Sequence, residues 1–178
     1  LGKVLGGGFP IGAVGGKKEI MQIMSPERGN DILAAGENKQ RSDDIMFHSG
    51  TYNGHPTVLT AGLATIEALE SNDAMNRLLK RSKMLRTELE ALYRRYNIDM
   101  QAIGMGSMFN IVFSDERIVN YRDMNKADLV LRKRIDYELL KLGIYTKPMN
   151  RYSLSVVHTE KEIHDTIEAH EHAIKKIR

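Results

Sequence analysis

The chain contains no cysteine among its 178 residues, which excludes a disulfide framework and fits a reducing, cytoplasmic setting. No run approaches the roughly 20 consecutive apolar residues that a membrane-spanning helix needs. The first residues do not read as a basic-then-apolar secretory leader. Nor is any basic block interleaved with aromatics, so nothing in the pattern asks for nucleic acid. The net charge is only +3, from 26 basic and 23 acidic side chains scattered along the chain.

What remains is ordinary globular material, with 42% apolar residues, enough for one domain or one domain plus a small lobe. Glycine is unevenly placed: seven of the fifteen fall within the first 16 residues, LGKVLGGGFPIGAVGG. A domain seldom opens inside its most glycine-dense loop, and Leu1 is not an initiator Met, so the chain reads as a fragment of something longer.

Pattern and punctuation give a coarse organisation. Residues 1–16 form a loop, with 11–14 able to make a short strand. KKEIMQIM (17–24) predicts a short helix stopped at Ser25-Pro26, followed by a polar, loop-like stretch to Met46. A helix is expected from Pro56 or Thr57, with Val58, Leu59, Leu63, Ile66 and Leu69 at helical spacing. Ser71-Asn72-Asp73 should end it and cap a second helix striped by Leu78, Leu85, Leu89, Leu92 and Tyr96. Over residues 98–114 the period changes to near-alternation, with Phe109, Ile111 and Phe113 against Met108, Asn110 and Val112. This predicts strands turning at residues 104–106. A helix over 126–142 ends at Gly143, two short strands follow in GIYT and YSLSVV, and Thr159 with Glu162 makes a capping box for a last helix. Ile163, Ile167, Ile174 and Ile177 lie on one side of that helix.

Two segments stand out chemically. Lys3 precedes Gly6-Gly7-Gly8. Imine chemistry needs one lysine beside backbone loose enough to admit a flat ring and a phosphate. This is no nucleotide-binding loop of the Walker kind, where lysine follows the glycines and precedes Ser or Thr. The plainer reading of Lys3 is a solvated lysine near a chain end. Gly50-Thr51-Tyr52-Asn53-Gly54, just before a helix, suits an oxyanion at free backbone N–H groups; a simple turn with capping residues has the same composition. Arg151 can match a substrate carboxylate with two parallel bonds, or be a surface loop arginine. His164, Glu168 and His172 share a helix face in metal-ligand fashion, though on so charged a helix they read as solvated.

Taken together, LGKVLGGGFPIGAVGGKKEIM and HSGTYNGHPTVLTAGLATIEAL resemble the lysine loop and phosphate segment of class III aminotransferases, above all glutamate-1-semialdehyde aminomutase and its relatives. GSMFNIVFSD, LGIYTKP and LSVVHTEKEI resemble the C-terminal domain of the same subgroup. The resemblance implies an α/β chain, the C-terminal part of a pyridoxal-phosphate transferase of fold type I. Residues 1–70 would be the end of the large cofactor-binding domain, 71–97 a connecting helix, and 98–178 the small C-terminal α+β domain. It implies pyridoxal 5'-phosphate as cofactor, Lys3 as the Schiff-base lysine, and Gly50 and Thr51 as phosphate contacts made to the neighbouring subunit of a homodimer. Substrates would be small amino acids or amino aldehydes, with intramolecular amino transfer towards tetrapyrroles as the implied activity. The parts that stack on the ring, pair with its nitrogen and supply the main phosphate loop would lie upstream of Lys3. Two departures weaken the subgroup match. MNRYSLSVVH replaces a phenylalanine-rich stretch and is reminiscent of β-amino-acid transaminases, and residues 34–44 look like a polar insert. A non-catalytic binding or dimerisation module on the same fold is the reading of a different class.

Overall fold

Four leucines spaced seven, four and three residues apart set the longest helix, α3 (Ala74–Arg95), and Leu78, Leu85, Leu89 and Leu92 are all buried along it. The structure, a computed structural model, describes residues 1–24, 46 and 48–178. The expected helix stop at Ser25-Pro26 and the polar stretch over 34–44 lie outside these residues. The chain divides into two compact units, Leu1–Ala68 and Leu69–Arg178.

In the first unit a loop leads to the short helix α1 (Lys18–Met21), extended by one tighter turn to Met24. Then comes α2 (Pro56–Glu70), opening on proline as its missing N–H allows. Of the expected stripe on α2, Val58 is buried, whereas Leu59, Leu63 and Ile66 are exposed. No strand forms over 11–14. Gly12 makes a single antiparallel bridge to Gly2, flanked by hydrogen bonds between Leu1 and Ala13 of 2.7 and 2.9 Å, and the pairing goes no further.

The second unit is built on a three-stranded antiparallel sheet in the order β1-β2-β3. β1 (Met100–Met105) and β2 (Met108–Phe113) form a hairpin closed by the Met105–Met108 pair, and β3 (Tyr152–Ser153) pairs with Met108 and Phe109. Phe109, Ile111 and Phe113 all enter the core and Met108 is exposed, as the alternation predicts, but Val112 on the second phase is buried as well, so the alternation is lost at the end of β2. A four-residue helix, α4 (Tyr121–Met124), precedes α5 (Leu129–Lys141), whose first turn is capped by Asp128 accepting the Leu131 N–H at 2.8 Å. Gly143 follows with φ of 81°, as a helix-ending glycine should. The last helix, α6 (Glu160–Ile177), starts with the Thr159–Glu162 capping box in full. Side chains of α3, α5, α6 and the sheet share one core, including Leu89, Tyr93, Phe109, Ile135, Leu139 and Ile174.

Three local expectations need correction. Residues 143–146 are not a strand, because the Ile144 N–H turns back to the Leu139 carbonyl at the end of α5 (2.9 Å). YSLSVV keeps only two strand residues, because the Ser155–His158 turn leads directly into α6. Asp73 does not cap α3 with its side chain. It sits at φ 56°, away from the extended backbone of a normal cap, and its carboxylate accepts from the Asn76 side chain instead.

Candidate active site

Lys3 opens a tight turn closed at its base by the Leu1–Ala13 and Gly2–Gly12 pairing. The Gly7 N–H bonds to the Val4 carbonyl at 3.1 Å and the Phe9 N–H to the Gly6 carbonyl at 3.0 Å, so the loop is wound by its own backbone. Lys3 itself has φ of 56°, a conformation that a residue with a side chain adopts at a cost of roughly 1–2 kcal/mol. Strained backbone of this kind gathers at functional positions. The Lys3 side chain is exposed and, among the described residues, has no carboxylate partner.

The glycines that follow bring this loop onto α2. Gly7 has φ of 58°, and a Cβ there would stand 2.6 Å from Thr65 Oγ1 and 3.1 Å from the Ala61 carbonyl oxygen. From the helix side, a Cβ at Gly62 would stand 3.1 Å from the Leu5 carbonyl oxygen. Glycine on both surfaces therefore lets backbone approach backbone. The lysine loop is fixed to the helix whose N-terminus carries the second sequence segment.

That segment is a turn. The Asn53 N–H bonds to the Gly50 carbonyl at 2.9 Å and the His55 N–H to the Tyr52 carbonyl at 3.2 Å, with Gly54 at φ 69°. Gly50 and Thr51 are exposed on it, two short turns ahead of Pro56. Among the described residues the Thr51 hydroxyl has no hydrogen-bond partner. Lys3, Gly50 and Thr51 thus belong to one unit. Arg151 belongs to the other, at the entry to β3. It is exposed, and its one hydrogen bond among the described residues runs from Nε to Ser153 Oγ at 3.4 Å. His164, Glu168 and His172 are solvent-exposed on α6, and no cluster fit to hold a metal occurs among the described residues.

The profile of the class III aminotransferases matches residues 1–174. The chain belongs to the class III aminotransferases. Family members use pyridoxal 5'-phosphate. Similar curated relatives include the glutamate-1-semialdehyde 2,1-aminomutases of Methanopyrus kandleri and Hyperthermus butylicus, each 35% identical over 99% and 100% of this chain and 38% of their own length. The chain therefore spans about two fifths of these relatives. Among solved structures, a β-phenylalanine aminotransferase from Variovorax paradoxus is similar with TM-score 0.82 and 30% identity over 99% of this chain and 37% of that one. An omega-transaminase from Sphaerobacter thermophilus gives 0.79 and 26% over 98% and 37%. The C-terminal part of the type I fold expected from the sequence is thus found in this class III chain. No helix among the described residues is long and apolar enough to cross a membrane.

Within this class III chain the sequence pattern missed two buried polar groupings. Arg132 and Asp136 form an ion pair on α5, Nε to Oδ2 at 2.8 Å, with both side chains almost fully buried. His170 is wholly buried between Tyr93, whose hydroxyl is 2.7 Å from Nδ1, and Tyr152, whose hydroxyl is 3.0 Å from Nε2. Burial first, and the charge of Arg132 second, hold His170 down to about 3, so it is neutral at physiological pH. Burial likewise raises Tyr93 and Tyr152, keeping both hydroxyls protonated. The sequence did carry a signal for His170, since it continues the isoleucine stripe at 163, 167, 174 and 177. Arg132 and Asp136 have the spacing of an ordinary surface pair, and only the flanking Leu131, Ile135 and Leu139 mark that face as inward.

Proposed function

We propose that this chain is the C-terminal part of a pyridoxal-phosphate enzyme that moves an amino group within a small amino aldehyde, in the manner of glutamate-1-semialdehyde aminomutase. The observation that carries this reading is the docking of the Lys3 loop, through Gly7 and Gly62, on the helix that follows Thr51. It holds the lysine loop and the phosphate-type turn in one unit, so that each subunit would present its lysine to one cofactor and its turn to another. The residues fit the cofactor: an exposed amine without a carboxylate partner, glycines that keep side chains off the loop, and a hydroxyl and turn ahead of a 15-residue helix.

Lys3 would carry the cofactor covalently through Nζ. Once freed by substrate, the same nitrogen would take a proton from the amino-bearing carbon and return it to the neighbouring carbon. Bound there, pyridoxal phosphate supplies an electron sink for bonds broken at that carbon. Thr51 Oγ1, with Gly50 leaving room beside it, would donate to the phosphate of a second copy's cofactor, making the working unit a homodimer. Arg151 would hold the substrate carboxylate, its guanidinium being exposed and free of carboxylate partners among the described residues.

A second reading, transamination of a β-amino acid, is favoured by MNRYSLSVVH and by the likeness to the Variovorax paradoxus enzyme. The two differ in stoichiometry. A mutase converts glutamate-1-semialdehyde with no second substrate, whereas a transaminase stalls after one turnover unless a 2-oxo acid is added. The lysine assignment is tested by borohydride reduction of the complete, cofactor-loaded protein. The cofactor should become fixed to the peptide containing Lys3, and a label on Lys17 or Lys18 would remove the assignment.

A further inference from the structure

The turn over residues 147–150, between α5 and β3, is held from inside the protein. Arg132 and Asp136, one helical turn apart, are 4% and 2% exposed. Besides Asp136, Arg132 donates through Nη1 to Asn110 Oδ1 and to the Ile111 carbonyl, both at 2.5 Å, which fixes it to β2. Its Nη2 donates to the Asn150 carbonyl at 3.3 Å, and Asp136 Oδ2 accepts the Met149 N–H at 2.6 Å. The other carboxylate oxygen, Oδ1, is buried and has no hydrogen-bond partner among the described residues. One buried ion pair thus grips the two residues that precede Arg151. On the far side, Tyr152 is pinned by its β3 pairing and by stacking on Phe109 at 4.9 Å between ring centres. The Arg132 guanidinium lies 5.7 Å from the centre of the same tyrosine ring.

Stability alone does not account for this arrangement. A buried ion pair gives up hydration that an apolar pair of the same volume never had. The turn adds two left-handed residues that are not glycine, Lys147 at φ 49° and Met149 at φ 59°, which relax to ordinary backbone unless something holds them. What the grip does achieve is one fixed backbone course into Arg151, whose own guanidinium stays exposed. We propose that Arg132 and Asp136 are positioning residues that set the 147–150 turn so that Arg151 meets the substrate carboxylate. This rests on the substrate reading of Arg151 given above.

The test uses the complete, cofactor-loaded enzyme with three variants. Arg132→Met with Asp136→Leu removes both charges together, leaving none buried alone. Arg151→Ala removes the carboxylate ligand, and the triple variant combines them. Steady-state kinetics and amide exchange at Met149 are measured on each. In the double variant, exchange at Met149 should quicken at least about tenfold and KM for the amino substrate should rise about tenfold, with kcat and the cofactor's absorption band little changed. The triple variant should be no worse than Arg151→Ala, as expected when two changes disable one contact. If Arg151→Ala raises KM and the double variant does not, the positioning role is overturned and the reading of Arg151 stands. If Arg151→Ala leaves KM unchanged, the substrate reading falls and the positioning role falls with it. Should the double variant fail to fold, Arg132→Lys serves. It keeps the charge beside Asp136 but loses the fork reaching Asn150, so KM should rise severalfold and unchanged KM would overturn the proposal.

Discussion

The hydroxyl of Tyr93 on α3 lies 2.7 Å from Nδ1 of His170 on α6, joining two helices at the centre of the C-terminal unit. The opposite ring nitrogen faces the Tyr152 hydroxyl at 3.0 Å. A neutral imidazole has one N–H and one bare nitrogen, so one tyrosine donates to it and the other accepts from it. A protonated ring has two donors, so the tyrosine that donates to the neutral ring would have to turn its O–H away, and the complementarity would be lost.

This geometry sets a pH dependence. In the unfolded chain the imidazole titrates near its ordinary 6.5, and in the folded protein burial and Arg132 hold it to about 3. Between those values the unfolded chain binds the extra proton, so stability is lost as pH falls through that window. By pH 5 the loss from this one group should be about 2 kcal/mol. The lowered carboxylates Glu138, Glu162 and Glu171 act in the same direction only below about 4.5. Urea unfolding between pH 5 and 7, followed by tyrosine emission because the chain has no tryptophan, reads the effect. Tyr93→Phe should lower stability at pH 7 by roughly 1–3 kcal/mol, having left Nδ1 without its partner. A midpoint that does not move between pH 7 and pH 5 would contradict the assignment.

Much of this unit was legible beforehand because its signals are local. The capping box at Thr159 and Glu162, the helix end at Gly143 and the alternation through Phe109, Ile111 and Phe113 each depend on residues within one turn or one strand. Two features were not legible, since each is settled by a partner distant in sequence: His170 finds Tyr93 across 77 positions, and Arg132 is buried by its bonds to β2 and the 147–150 turn. GIYT departs from its expected strand for a local reason, the Ile144 N–H closing the end of α5 on the Leu139 carbonyl. At the candidate site, Lys3 and Thr51 stand out through the family resemblance of their segments, because type and spacing alone read equally as a solvated lysine and a plain turn. The dense glycines were read as room for a ring and phosphate, and the structure adds that Gly7 serves the close approach to α2.

Gly7 is therefore a sensitive position. Alanine there must hold a left-handed backbone and place its Cβ 2.6 Å from Thr65 Oγ1, which itself donates to the Ala61 carbonyl at 2.8 Å. Backbone strain and overpacking together should cost at least about 2 kcal/mol and displace the lysine loop from α2. In the complete protein, cofactor retention after gel filtration should fall for Gly7→Ala. Gly15→Ala, with open space around its Cβ, should behave as the parent. Equal retention in the two variants would show that the loop does not depend on its seat against the helix.

Thr51 gives a test of both contact and assembly. The hydroxyl is exposed and has no partner among the described residues. Losing one hydrogen bond to a charged phosphate costs roughly 1.5–3 kcal/mol, so Thr51→Val should weaken cofactor binding about ten- to a hundredfold, and Thr51→Ser should recover most of it. Mixing subunits then tells whose phosphate is held. In a mixed dimer of Lys3→Ala with Thr51→Val, contact across the interface leaves one site with both its lysine and its threonine intact. Contact within one subunit leaves none, because the only chain with a lysine lacks the hydroxyl. At cofactor concentrations that saturate the parent but not Thr51→Val, the mixed dimer should therefore show about half the parent activity, although each variant alone shows little. Activity no higher than the average of the two variants would place Thr51 at its own subunit's cofactor. An unchanged affinity in Thr51→Val would remove it from the phosphate site altogether.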